Sequence, residues 1–152
     1  MKHCVTLFLL FSLLIVALKA CKCGSLSPKE SYSNAQWVTR AKILRRQSKK
    51  IDGMGYIEYK VNHIDVFKNK RKPRKLPDEI TTLASSAACG FPSLGIGKEY
   101  LLSGRFVEGD VLRMYACEQI IVKIKDGKPL DVVLEWNEVP NDLRKKLNSG
   151  NV

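Results

Sequence analysis

Two cysteines flanking one residue, Cys21-Lys22-Cys23, stand directly after an apolar segment that ends on a small residue. If the chain is cut between Ala20 and Cys21, a free α-amine, the same residue's carbonyl and its thiol crowd into one place. The amine and carbonyl of one residue form a five-membered chelate with a metal ion. An α-amine titrates near ~7.7–8.0, so a useful fraction is neutral near physiological pH, and a metal favours that form. Catalytic zinc sites keep one open position, normally filled by water. A rigid amine delivered there would displace the water and block the enzyme, and a disulfide on Cys21 would fix where the amine points. The plainer alternative is a half-cystine with a structural role alone.

The segment before Cys21 reads as a secretory signal peptide, residues 1–20. Lys2 and His3 form a short basic start, 5–18 is apolar apart from Thr6 and Ser12, and Leu18-Lys19-Ala20 suits signal peptidase. The apolar run is too short for a bilayer span, which needs ~20 residues, and no later stretch is long or apolar enough. A Cys after Leu-x-Ala also resembles a bacterial lipoprotein junction, but Lys19 fits that junction poorly. Cleavage leaves residues 21–152 as one domain with its own core. That domain carries 24 basic and 15 acidic side chains, a formal charge of +9. Such a surface favours polyanions, either glycosaminoglycans or acidic membranes; secretion disfavours nucleic acid.

Of five cysteines, Cys4 leaves with the signal, and Cys21, Cys23, Cys89 and Cys117 remain. Four in a secreted chain imply two disulfides with three possible connectivities. A Cys21–Cys23 ring would be strained, so the pair is expected to reach separately to Cys89 and Cys117. A four-thiolate zinc site is disfavoured by the lack of CxxC spacing and by the oxidising compartment. Enzyme readings find little support. The mature chain has a single histidine, His63, and lacks the GxSxG, HExxH and phosphate-loop patterns. Glu99, Glu108, Asp110 and Glu118 form no distinctive pair. The residues argue for a binding protein, with no cofactor of its own.

These groups must be positioned by mostly extended chain. Ser27-Pro28-Lys29-Glu30 starts a helix over 27–35, with Ser27 as cap and Glu30 completing a capping box. Trp37, Thr39, Ala41 and Ile43 alternate as a strand, and 45–55 reads as a polar turn or loop. Ile57, Tyr59 and Val61 alternate until the parity flips at Ile64 and Val66, which calls for a β-bulge near Asn62-His63. His63 reads as a partly exposed strand residue. The basic run Lys68, Lys70, Arg71, Lys72, Arg74 and Lys75 reads as a loop and a candidate polyanion contact. Strands are expected at 79–83, 99–106, 111–117 and 120–124, with Tyr100-Leu101-Leu102 buried on both faces. A helix closes the chain at 141–148, with Leu143 and Leu147 at i, i+4 and Gly150 as stop. Five or six short strands favour a small closed barrel.

The order of Cys21-Lys22-Cys23, Trp37-Val38-Thr39-Arg40-Ala41-Lys42, Val66-Phe67-Lys68, Ser85-Ser86-Ala87-Ala88-Cys89-Gly90 and Glu99-Tyr100-Leu101-Leu102-Ser103-Gly104 resembles the tissue inhibitors of metalloproteinases (TIMPs), in a single-domain, nematode-like form. The resemblance implies a mainly β, netrin-like OB-fold, a five-stranded closed barrel with two or three flanking helices. It implies the disulfides Cys21–Cys89 and Cys23–Cys117, and a secreted monomer that blocks zinc metalloproteinases through the Cys21 chelate. The zinc belongs to the target enzyme. Lys22 would enter the pocket beside it, Cys23 and Gly24 would continue along the cleft, and Leu83, Ala84, Ser85 and Ser86 would touch its other side. The chain departs from the family at three points. Ser33 stands where a third disulfide would begin, Lys22 replaces a small Ser or Thr, and a second cysteine-rich domain is absent. Lys22 either weakens inhibition or selects an acidic pocket. The rival reading is a non-inhibitory netrin-type module that acts on matrix glycosaminoglycans or a cell-surface receptor, in immune modulation.

Overall fold

The computed structural model describes residues 23–24, 26–120 and 133–152. Helix α1 (Pro28–Asn34) starts as its capping box dictates. The Glu30 amide donates to Ser27 Oγ at 3.2 Å, and the Ser27 amide donates to Glu30 Oε2 at 2.8 Å. These bonds to the Ser27 side chain and backbone hold the Glu30 carboxyl below its ordinary value.

Strands β1 (Trp37–Ile51) and β2 (Met54–Asn69) form one long antiparallel hairpin. Residues 45–55 are therefore strand and turn, not the loop that their polarity suggested. The arms reverse at Asp52-Gly53, where both residues have positive φ, 50° and 79°. That is the backbone a two-residue hairpin turn demands. Beyond Ile43 nearly every β1 side chain is exposed, so the arm carries no burial alternation to read. Three register shifts bend the hairpin, one of them where Ile64 is passed over between His63 and Asp65. The bulge expected near Asn62-His63 is thus observed there.

β3 (Glu79–Leu83), β4 (Glu99–Val107) and β5 (Val111–Arg113) complete a closed barrel in the order β1-β2-β3-β5-β4. The seam is a short parallel pair, Ile80 opposite Leu112 and Thr81 opposite Arg113. The strand expected over 111–117 ends at Arg113, because residues Ala116–Glu118 coil into a 3-10 turn. Of the strand expected over 120–124, only Ile120 lies within the described residues, and it is buried.

Two apolar clusters share β1 and β4. Trp37, Ala41, Ile43, Tyr100 and Leu102 fill the barrel. Val38 and Leu101 point outward, to Leu134, Val139, Leu143 and Leu147. The last two lie on helix α2 (Asn141–Ser149), which ends at Gly150 with φ 71°. Tyr100-Leu101-Leu102 is thus buried on both faces, as expected. Gly104 marks the tightest approach in the barrel wall: a Cβ there would lie 2.1 Å from the Arg113 carbonyl. Among the described residues no helix is long and apolar enough to cross a membrane.

Candidate functional site

The N-terminal corner is built from three short pieces. β3 runs out at Leu83, the chain loops through 84–89, and Gly90 returns beneath Leu83 so closely that a Cβ would sit 1.9 Å from the Leu83 carbonyl. The loop is pinned from inside. Gly90 N–H donates to Ser85 O at 2.9 Å, Cys89 N–H donates to Ser86 O at 3.0 Å, and Phe91 N–H donates to Thr82 Oγ1 at 3.1 Å. Cys89 adopts φ 62°, a left-handed conformation that ends the Ser86–Ala88 turn. Residues 84–88 are all exposed, a rigid ridge of small side chains.

The second piece carries Cys117. Gln119 is 1% exposed and anchors it. Its Nε2 donates to Ser103 O at 2.7 Å and to Tyr115 O at 3.0 Å, while Ser103 N–H donates to its Oε1 at 3.1 Å. Ser103 Oγ adds a bond to Glu118 O at 2.7 Å. Arg105 pairs with Glu118. Sequence reasoning passed over Gln119; its only signal is a polar side chain set between Cys117 and the apolar Ile120-Ile121-Val122.

The third piece is the start of the described chain. Cys23 is joined to Cys117, a disulfide spanning 94 positions with Cα atoms 5.0 Å apart. Ala116, next to Cys117, donates its N–H to Cys89 O at 2.9 Å. Cys89 is also a half-cystine. The structure therefore brings together Cys23, Cys117, Cys89 and the ridge that includes Ala84, Ser85 and Ser86. Gly24 is exposed and Leu83 is half-buried at the base of the ridge. Cys21 and Lys22 lie outside the described residues, and with them the Cys21 chelate and the Cys21–Cys89 pairing.

The basic run is not one patch. Lys68 belongs to β2, and its ammonium donates to the last carbonyls of α1, Tyr32 O at 2.5 Å and Ser33 O at 2.9 Å. Arg71 and Arg74 both pair with Asp110, holding its carboxyl below the usual range, first through the Arg71 hydrogen bond. Lys70, Lys72 and Lys75 are exposed and make no ion pair among the described residues. Three of the four carboxylates considered for catalysis are likewise occupied, Glu99 with Arg40, Asp110 with the two arginines and Glu118 with Arg105, and the fourth, Glu108, is exposed in the β4–β5 turn. Among the described residues no group of three or more His, Cys, Asp or Glu is placed to hold a metal ion.

His63 is half-buried, bonded through Nδ1 to Thr39 Oγ1 at 2.9 Å and through Nε2 to Pro77 O at 2.8 Å. A carbonyl only accepts, so Nε2–H donates to Pro77 O, while Nδ1 faces the Thr39 hydroxyl, whose one hydrogen is shared between Nδ1 and Asp65 O at 2.9 Å. Burial pushes the imidazole below its ordinary value.

A family model described as "Tissue inhibitor of metalloproteinase" matches residues 19–124, a span that contains Cys21, Cys23, Cys89 and Cys117. The chain belongs to the tissue inhibitor of metalloproteinase family. Within it, the chain is 35% identical over 147 residues to the Caenorhabditis elegans protein named "Putative metalloproteinase inhibitor tag-225", covering 92% of each chain. It is 30% identical over 151 residues to human metalloproteinase inhibitor 2 and 34% identical over 151 residues to the rat protein of that name. Those two matches cover 92% of this chain but 60% of theirs, so the chain spans less than two thirds of the length of these mammalian family members.

Proposed function

We propose that the chain is a secreted inhibitor of zinc metalloproteinases. In this reading residues 1–20 are a signal peptide and 21–152 a netrin-like domain of OB type. The amine and carbonyl of Cys21, as the first mature residue, chelate the target's zinc. Lys22 enters the pocket beside the zinc, with Cys23 and Gly24 on one side of it and the 83–86 ridge on the other. Family membership supports the activity, and the strand order β1-β2-β3-β5-β4 with a parallel β3–β5 seam supports the OB assignment.

The observation that carries the mechanism is the convergence of Cys23, Cys117 and Cys89. A residue spans at most ~3.6 Å, so Cys21 lies within about 7 Å of Cys23 along the chain. Cys23 is fixed to Cys117, whose neighbour Ala116 is hydrogen-bonded to Cys89. In this reading Cys21 is bridged to Cys89, which would hold the amine beside the exposed ridge. Inhibition of a panel of secreted metalloproteinases by the processed protein tests the activity. Mass spectrometry of the secreted N-terminus tests the chemistry. The expected product begins at Cys21 with an unmodified amine; an acylated or internal Cys21 overturns the chelate.

A second reading, a non-inhibitory module for matrix glycosaminoglycans or a receptor, is favoured by one observation. Lys70, Lys72 and Lys75 stand exposed on one loop without ion pairs among the described residues. Changing all three to Gln should abolish retention on heparin at physiological salt; undiminished retention removes this reading.

A further inference from the structure

β2 outruns its neighbour. It pairs with β3 only through Tyr56–Lys60, and past that point the 70–78 loop, not a strand, runs along its edge. The loop is tied at both ends: Val61 N–H donates to Asp78 O at 2.8 Å, and Asn69 Nδ2 donates to Arg74 O at 2.7 Å. Between the ties a groove of about 770 Å³ opens, lined by Leu44, Val66, Pro73 and Leu76 with Lys72 and Lys75 among its walls. Leu44 and Val66, both lining the groove, are 50% and 42% exposed and give it an apolar floor open to solvent. Both sit at the hairpin's register shifts, which turn them out of the barrel.

The polar groups of the groove are unequal. Asp78 is paired with Lys60 at 2.7 Å, which holds its carboxyl below the usual range. His63 has both ring nitrogens bonded to Thr39 and Pro77, and burial keeps it neutral at pH 7. Arg74 is shared with Asp110. Lys72 and Lys75 are the charges left unanswered among the described residues. A volume of this size suits a small molecule, with an apolar lining and a few charged groups to orient it.

We propose that this groove binds an amphipathic anion, with its apolar body against Leu44, Val66 and Leu76 and its carboxylate or sulfate head at Lys72 and Lys75. A fully sulfated sugar would satisfy the lysines but leave the apolar floor wet. An uncharged apolar molecule would cover the floor but leave the lysines unanswered. The groove shares no residue with the Cys23–Cys117 corner, so this site stands or falls apart from the inhibitory reading.

The test is amide chemical-shift titration of the oxidised, processed protein with dodecanoate below its micelle concentration. Saturable shifts at His63, Val66, Lys72 and Leu76 are expected. Dodecanol should bind at least about tenfold more weakly, as should dodecanoate to the Lys72→Glu/Lys75→Glu and Leu44→Asp variants, whose altered side chains are exposed. Absence of saturation overturns the proposal. So does a heparin tetrasaccharide that saturates the same amides as tightly, which would make the surface a plain polyanion patch.

Discussion

His63 shows how much a single residue's role depends on distant chain. Its strand position was legible from the alternation around it, as was its partial exposure. Its partners were not: Thr39 is 24 positions away, and Pro77 contributes only a carbonyl, which every residue possesses. The folded state prefers the neutral ring, chiefly because of burial, so the folded value lies below the unfolded one. Between the two values the unfolded chain binds the extra proton, and stability rises with pH. The contribution is fully present above the ordinary histidine value of ~6.5 and is lost as pH falls through it toward the folded value. Urea midpoints at pH 7.5 and 5.5 should therefore fall for the native chain and fall measurably less for His63→Gln. Asp78 and Asp110, also shifted downward, titrate below this window and leave the comparison clean. An identical pH slope in the two proteins would contradict the assignment.

At the scale of elements, the sequence spoke wherever one face of an element is buried. Trp37 to Ile43 alternates because the barrel lies on one side, and α1 is announced by Ser27, Pro28 and Glu30. The outer arm of β1 was silent because residues 44–51 are all exposed, and basic residues in that setting look like a loop, whereas Tyr56 to Tyr59 on the facing arm of β2 are buried. The basic run was legible as charge but not as structure. Lys68 caps a helix, and Arg71 and Arg74 grip Asp110 across 36 or more positions. Asp110→Asn should release both arginines, so the variant should elute from heparin at higher salt than the native chain; unchanged elution would mean the arginines were available all along. The staple is a second element-scale feature. Cys23–Cys117 closes a separation of 94 positions, for which the chain-entropy model gives about 4–5 kcal/mol. Replacing both cysteines by Ser should lower unfolding free energy by about that amount in a urea titration. A loss under about 1 kcal/mol would show that the corner is held by Gln119 and the Cys89–Ala116 bond instead.

Taken as a whole, the molecule is a small basic barrel with two separate candidate surfaces. One end gathers Cys23, Cys89 and Cys117 under a ridge of small exposed side chains; the side of the barrel carries the separate groove and the lysine loop. The family was legible because its motifs recur in order, from Cys21 to Cys117. The partition of charge between the loop and its internal partners became visible only in three dimensions. The central claim concerns one atom, the Cys21 nitrogen. Adding a single Ala before Cys21 leaves fold, charge and disulfides alone but buries that nitrogen in a peptide bond, where it no longer serves as a free amine ligand. Inhibition constants of the processed and Ala-extended proteins against the same metalloproteinase decide the matter. The account predicts a loss of at least about 100-fold on extension, roughly 2.8 kcal/mol. Equal inhibition by the two forms would contradict it.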